Sequence, residues 1–297
     1  MSMAIWDFPL ARGRTLQLGS RPRIASILNC TPDSFSDGGR YAEPADAVRA
    51  ALKMVSDGAD LIDVGGESTR PGSQPVPAAE QLRRVLPVIE GIRSSSEVPI
   101  SIDTQSPAVA DAAFDAGADI LNDVSACRDP EMPELLRKRE APVILMHMRG
   151  TPADMQQNPE YPEGVVPSVQ RFFAERLDSL EAQGVPQERA ILDPGIGFGK
   201  RWEHNLELLR HLSDLAALHR PVCLGVSRKG FLAKALKLEA GGGPDLDPDI
   251  GTLIVNALSL QRGAHLLRVH DVPRTVSLVR LYEALRAEGG TAGRESA

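Results

Sequence analysis

The sequence predicts an α/β protein built as a single TIM-type (β/α)8 barrel, and three observations predict it. Short β-branched or aliphatic runs alternate with longer amphipathic segments along nearly the whole chain, the pattern of repeated strand–helix units around a parallel sheet. About eight such runs occur in 297 residues, close to the ~250 typical of a closed barrel of eight. No Gly-x-Gly-x-x-Gly follows the first run, which disfavours an open doubly wound sheet.

The expected strands are Arg23–Asn29, Asp60–Val64, Pro99–Asp103, Ile120–Asp123, Pro142–Met146, Ala190–Asp193, Val222–Val226 and Leu266–Val269. Helical apolar spacing marks Pro44–Asp57, Ala78–Arg93, Pro107–Ala116, Glu131–Arg139, Val165–Gln183, Asn205–Ala217 and Val272–Ala287. Three helix-to-strand turns look alike, Asp57-Gly58-Ala59-Asp60, Ala116-Gly117-Ala118-Asp119 and Arg262-Gly263-Ala264-His265, each with Gly where a helix C-cap wants it. Residues 1–22 are expected to form a short hairpin closing the barrel bottom, 23–286 the barrel, and 287–297 a frayed tail. The connections after the first, second and fifth strands are extended; those at Ser68–Pro77 and Arg149–Pro162 are long and rich in Pro and Gly, the kind that is more often functional than idle. Gly241–Pro248 reads as a break between two helices before the last strand.

Composition narrows the function. With 42% apolar and 25% charged residues the chain is an ordinary globular protein, and no apolar run approaches the ~18 residues of a membrane span. Net charge is −7 with 33 basic residues spread out, so there is no footprint for nucleic acid or an anionic membrane. Three scattered Cys and no secretory pattern at the start predict a cytoplasmic protein without a disulfide framework.

Barrel active sites lie at the C-terminal strand ends, and here nearly every apolar run ends in a polar residue: Asn29, Glu67, Asp103, Asn122, His147, Asp193, Ser227-Arg228-Lys229 and Arg268-Val269-His270. A single Asp or Asn at such a place is usually a turn former or helix cap. Alternation argues otherwise for Asp103, Asn122 and Asp193, which fall in phase with residues pointing into the barrel, where a polar group is costly without a partner. Those three suit a flat heterocycle bearing an amino group and ring N–H groups, with Lys229 facing its carbonyl or ring nitrogen. Arg70, Arg268 and His270, with Ser68 and Thr69, suit a phosphate or diphosphate. Asn29 is an oxygen ligand of the kind Mg²⁺ accepts while keeping waters, and a diphosphate would bring the ion with it.

Leu28-Asn29-Cys30-Thr31-Pro32-Asp33-Ser34-Phe35-Ser36-Asp37-Gly38-Gly39, Gly65-Gly66-Glu67-Ser68-Thr69-Arg70-Pro71-Gly72 and Asp193-Pro194-Gly195-Ile196-Gly197-Phe198-Gly199-Lys200 resemble the dihydropteroate synthase family, as do Ser227-Arg228-Lys229 and Arg268-Val269-His270. The resemblance runs from about Arg23 to about Val279. It implies a TIM barrel, usually a homodimer, joining 6-hydroxymethyl-7,8-dihydropterin diphosphate to p-aminobenzoate in folate synthesis. It also implies that Asp103, Asn122, Asp193, Lys229 and Met146 hold the pterin, and that Asn29, Thr69, Arg70, Arg268 and His270 hold the diphosphate and Mg²⁺. Thr69, Phe35, Pro71, Phe198 and Gly230 would form the p-aminobenzoate pocket, which sulfonamides mimic their way into, while mobile loops after the first two strands, Asp33 included, close over it. Asp103, Lys229, Arg268 and His270 would be catalytic. The chain departs from the family pattern where many members have Ser after the Lys and this one has Gly230; backbone N–H groups of the helix starting there remain to hold the carboxylate. Two other readings are a methyltetrahydrofolate-dependent methyltransferase, which would not need Arg70, Arg268 and His270, and a non-catalytic pterin-binding paralogue.

Overall fold

A computed structural model describes residues 4–31, 44–68, 72–151, 154–232 and 247–286. Eight parallel strands close a barrel: β3 (Arg23–Asn29), β4 (Leu61–Gly65), β5 (Ile100–Asp103), β6 (Ile120–Asp123), β7 (Val143–Met146), β8 (Ala190–Asp193), β9 (Val222–Leu224) and β10 (Ala264–Val269), with β10 pairing back to β3. Around them run α1 (Pro44–Ser56), α2 (Ala78–Arg93), α3 (Pro107–Ala116), α4 (Met132–Arg139), α5 (Val165–Ala182), α6 (Trp202–Arg210), α7 (Pro248–Gln261) and α8 (Val272–Arg286). The barrel is thus the one the alternating runs predict. The strand boundaries shift by two residues at most.

One helix differs. The expected Asn205–Ala217 is α6 from Trp202 to Arg210, followed by a 3-10 segment, Leu212–Leu218, after a break at His211. Three residues per turn places Leu212 and Leu215 on one side, and both are buried, so the tighter winding keeps the apolar stripe on the barrel where a continuous α-helix would rotate it away. Of the break expected at Gly241–Pro248, residues 241–246 lie outside the described residues, and the helix after it starts at Pro248 with Asp247 as its N-cap; the tail at 287–297 also lies outside them.

Ahead of the barrel, β1 (Trp6–Pro9) and β2 (Thr15–Leu18) form an antiparallel hairpin. Its Phe8, Leu10, Leu16 and Leu18 are buried against Ala25, Leu61, Ile120, Ile144, Ile191, Cys223 and Leu266, one inward residue from almost every strand. The hairpin therefore plugs the N-terminal end, and this cluster fixes the parity of each strand: every second residue onward points up the barrel interior.

The three similar turns do related work. Gly58, Gly117 and Gly263 all have positive φ (109°, 116° and 92°), conformations that need no Cβ. The side chain at the strand start then accepts an N–H from a neighbouring strand: Asp60 from Ile24 (2.9 Å), Asp119 from Ile100 (3.0 Å) and His265 Nδ1 from Val222 (3.0 Å). Asp60 also holds Arg21 and Arg23, and Asp119 holds Arg14 and Arg93, tying the hairpin to the barrel base.

Candidate active site

Parity points five polar side chains, Asp63, Ser101, Asp103, Asn122 and Arg268, toward the opposite, C-terminal mouth. Leu61 lies in the basal layer, so Asp63 is the next inward residue of β4 and Gly65 the one after. In register beside Asp63 stands Ser101; beside Gly65 stands Asp103, and beside Asp103 stands Asn122. Arg268, two residues beyond Leu266, starts one layer lower, and its long side chain rises between the carboxylates.

The result is one bonded cluster. Arg268 donates from Nε to Asp63 (2.6 Å) and from Nη2 to Asp103 (2.7 Å). Ser101 Oγ donates to Asp63 at 2.5 Å, and Asn122 Nδ2 contacts both Asp63 oxygens at 3.3 and 3.2 Å. Burial pushes the Asp103 carboxyl up to about 7; Arg268 pulls it back, while Asp63, Asp123 and Glu67 add to the rise. One guanidinium cannot neutralise two buried carboxylates, which leaves the mouth in need of hydrogen-bond donors.

Across the mouth, Asp193 accepts from the Gly195 N–H at 2.8 Å, and burial raises its pKa against the pull of Lys229. Lys229 donates to the Ile196 carbonyl, and its Nζ lies 4.4 Å from the Phe198 ring centroid. Burial lowers the Lys229 pKa to about 8, with Asp193 opposing and Arg268 assisting. Met146 is the inward residue above Ile144 and is buried with Val124, Met148 and Met155, against which Phe198 packs, so an apolar wall stands beside the polar cluster.

At the rim, a Cβ on Gly65 would touch the Asp103 Cβ at 3.5 Å and Asn29 Oδ1 at 3.9 Å, so the glycine keeps a gap between those two side chains. His270 donates its N–H to Ser227 Oγ (3.2 Å), and the same hydroxyl lies 2.9 Å from His270 Nδ1. Gly230 opens a helical turn, and among the described residues nothing lies within 4 Å of where its Cβ would be. Phe35, Thr69, Arg70 and Pro71, like Asp33, lie outside the described residues.

Some polar strand ends serve the fold instead. Asp123 faces away from the interior and accepts from Ser125 N–H, Ser125 Oγ and Cys127 N–H, closing the turn after β6. Glu67 accepts from the Val76 N–H at 2.8 Å and from Gln81, pinning the connection that follows β4. Sequence reasoning missed Asp63 and Ser101 because it tested strand ends; the period-two test along Leu61-Asp63-Gly65 identifies the first of them.

Comparison with known proteins decides what kind of barrel this is. A family model described as "Pterin binding enzyme" matches residues 25–270, from β3 to His270. The dihydropteroate synthase of Escherichia coli K12 is 42% identical over 274 residues, 92% of this chain and 95% of that one. The chain belongs to the dihydropteroate synthase family. Among solved structures, Yersinia pestis dihydropteroate synthase in a sulfonamide drug complex superposes with a TM-score of 0.86 at 40% identity, covering 94% of this chain and 98% of that one. Xanthomonas albilineans dihydropteroate synthase with 4-aminobenzoic acid gives 0.85 at 42%, covering 95% and 100%. The relatives agree with the dihydropteroate synthase reading of the strand-end motifs, and the methyltransferase alternative falls away.

Proposed function

We propose that this barrel condenses 6-hydroxymethyl-7,8-dihydropterin diphosphate with p-aminobenzoate, yielding 7,8-dihydropteroate and pyrophosphate for folate synthesis. The observation that carries the reading is the Asp63–Arg268–Asp103 cluster with Asn122, facing Asp193 and Lys229. A reduced pterin ring presents an amino group and ring N–H groups on one edge and a carbonyl on another, matching Asp103, Asn122 and Asp193 as acceptors and Lys229 as donor. Met146 and Phe198 supply the apolar contacts for flat rings.

The nucleophile is a neutral arylamine and needs no base. Its nitrogen forms the new C–N bond to the pterin methylene as the C–O bond breaks; the bonding pair leaves on pyrophosphate, and the amine proton passes to solvent. Departure of pyrophosphate runs ahead of attack, so positive charge gathers on the pterin methylene, where Asp103 stabilises it. Arg268, His270, Arg70 and Thr69 take up the negative charge on the leaving group, and closure of the loops after β3 and β4 excludes water. Asp103→Asn should lower kcat much more than pterin affinity; equal losses would contradict this role.

Mg²⁺ belongs to the same proposal. Among the described residues no group of three His, Cys, Asp or Glu could hold a metal, and Asn29 offers one neutral oxygen at the rim. That donor set suits a hydrated Mg²⁺ arriving on the diphosphate, which when bound would offset charge on the leaving group.

The p-aminobenzoate pocket takes in Phe35, Thr69, Pro71, Phe198 and the helix start at Gly230, and sulfonamides compete there. The protein works as a homodimer: Ile250, Ile254 and Leu258 are exposed at i, i+4 and i+8 on α7, and Leu281 and Leu285 on α8, an apolar stripe that suits a second copy. A cytoplasmic setting agrees with the three free, buried cysteines. Among the described residues no helix is long and apolar enough to cross a membrane.

Pyrophosphate release by the purified protein, given the pterin diphosphate and Mg²⁺ with and without p-aminobenzoate while dihydropteroate is followed directly, tests the proposal. Release coupled to dihydropteroate supports it. Tight pterin binding without product overturns it in favour of a non-catalytic pterin-binding protein.

A further inference from the structure

Lys200 closes the Asp193–Lys200 motif and is 2% exposed. Its Nζ has four hydrogen-bond partners, and none is a carboxylate: His147 Nδ1 (2.8 Å) and the carbonyls of His147 (3.2 Å), Gly195 (2.9 Å) and Phe198 (3.0 Å). A buried ammonium is costly, and an apolar side chain would fill the space without that cost. What the ammonium does is join two stretches of backbone, the end of β7 and the glycine-rich loop 194–200.

The joint is close. A Cβ on Gly195 would lie 1.9 Å from the His147 carbonyl oxygen, and one on Gly199 would lie 2.4 Å from that of Arg149. The long connection after β7 adds two more ties, Gln156 Nε2 to the Gly197 carbonyl and Tyr161 Oη to the Gly199 carbonyl, both 2.8 Å. Three of the four Lys200 partners are carbonyls, which accept, and burial with the neighbouring Lys200 keeps the His147 ring neutral. The loop so held carries Phe198 under Lys229 and presents the Ile196 carbonyl to Lys229.

We propose that Lys200 is a positioning residue: by lacing the 194–200 loop to the end of β7 it holds Phe198 in place and sets the affinity for the arylamine substrate. This rests on the function proposed above. Of the residues given to the pterin, Asp103 and Asn122 are fixed by strand pairing on β5 and β6 and depend little on the loop, while Asp193 and Lys229 touch it only through the Gly195 N–H and the Ile196 carbonyl.

The test replaces Lys200→Met and measures KM for each substrate, kcat, and hydrogen exchange of residues 194–200. The expected result is a KM for p-aminobenzoate raised about tenfold or more, a clearly smaller rise in the pterin diphosphate KM, kcat within about threefold, and faster exchange in the loop. His147→Asn keeps an acceptor where Nδ1 lies and should stay near wild type, whereas His147→Leu should shift in the direction of Lys200→Met. If Lys200→Met does not fold, this pair decides. Equal rises in both KM values, unchanged exchange in 194–200, or identical behaviour of the two His147 variants would overturn the proposal. Were the wild-type protein to form no dihydropteroate, the functional reading would fail, and loop exchange in the variants would still decide the positioning.

Discussion

Arg268 is shared between Asp63 and Asp103, at 2.6 and 2.7 Å, so a guanidinium expected at the diphosphate end is anchored in the carboxylates of the pterin end. The two halves of the site are one electrostatic unit, and Asp63 is its buried foot.

Asp63→Ala should therefore act on the whole mouth. It leaves Arg268, Asn122 and Ser101 without their common acceptor, and removing one partner of a buried ion pair typically costs about 3–5 kcal/mol. Chemical denaturation should show a loss of that order, and calorimetric titration should show weaker pterin diphosphate binding.

The acid limb of the pH profile follows from Asp103. Its carboxyl is raised to about 7 in the fold, chiefly by burial, against 3.8 for the free side chain. Between those values the folded state holds a proton that the unfolded state has lost, so stability falls as pH rises from about 4 to about 7 and levels off above. On the proposed mechanism turnover runs the other way, because the carboxylate assigned to stabilising the methylene cation is lost as pH drops below about 7. In Asp103→Asn, the residual rate should lack this limb and the stability slope over the same window should flatten; stopped rates and denaturation midpoints at several pH values measure both.

Lys229 supplies the alkaline limb. Burial depresses its ammonium to about 8 from 10.5, so its charge toward the pterin carbonyl fades above about 8, and pterin affinity should fall there. Stability moves oppositely, rising between about 8 and 10.5 because the unfolded state is the one that still binds the proton. Lys229→Met should bind pterin diphosphate weakly and without an alkaline limb, as read by titration across that range.

How much of this was legible in the sequence depends on which residue is asked. Asp103, Asn122 and Asp193 could be placed because each ends an apolar run in phase with inward neighbours. Asp63 has the same parity but lies inside its run, where a rule about strand ends does not look. Arg268 could be assigned to a strand but not to its partners, since a long side chain crosses the mouth in a direction that strand register does not determine. Lys200 and His147 are 53 residues apart, and it is the parallel pairing of β7 with β8 that brings the end of one strand and the loop after the other side by side. The hairpin's plugging role is carried by alternate buried residues on two short strands, a signal too brief to fix register from sequence alone.

Gly195→Ala should be among the most damaging single-methyl changes in the loop. The residue has φ +65°, and the added carbon would lie 1.9 Å from the His147 carbonyl oxygen, which is backbone and cannot yield. The loop must move, taking the Asp193-bound N–H and Phe198 with it, and activity should fall by roughly a hundredfold or more. Hydrogen exchange would locate the disturbance at 194–200, and a variant with near-normal turnover would show that the close approach is dispensable.

Gly230 makes the opposite prediction. Among the described residues nothing lies within 4 Å of its missing Cβ, and it opens a helical turn that suits a hydroxyl side chain. Gly230→Ser should therefore fold with a stability change within about 0.5 kcal/mol. On the proposed pocket, the hydroxyl would join the N–H groups at the helix start in holding the arylamine carboxylate. The KM for p-aminobenzoate should fall severalfold while that for the pterin diphosphate stays put, and steady-state kinetics with each substrate varied in turn reads the split. If both KM values stay unchanged, the carboxylate does not reach this helix, and the arylamine pocket is then assembled by Phe198 and the loops that follow β3 and β4.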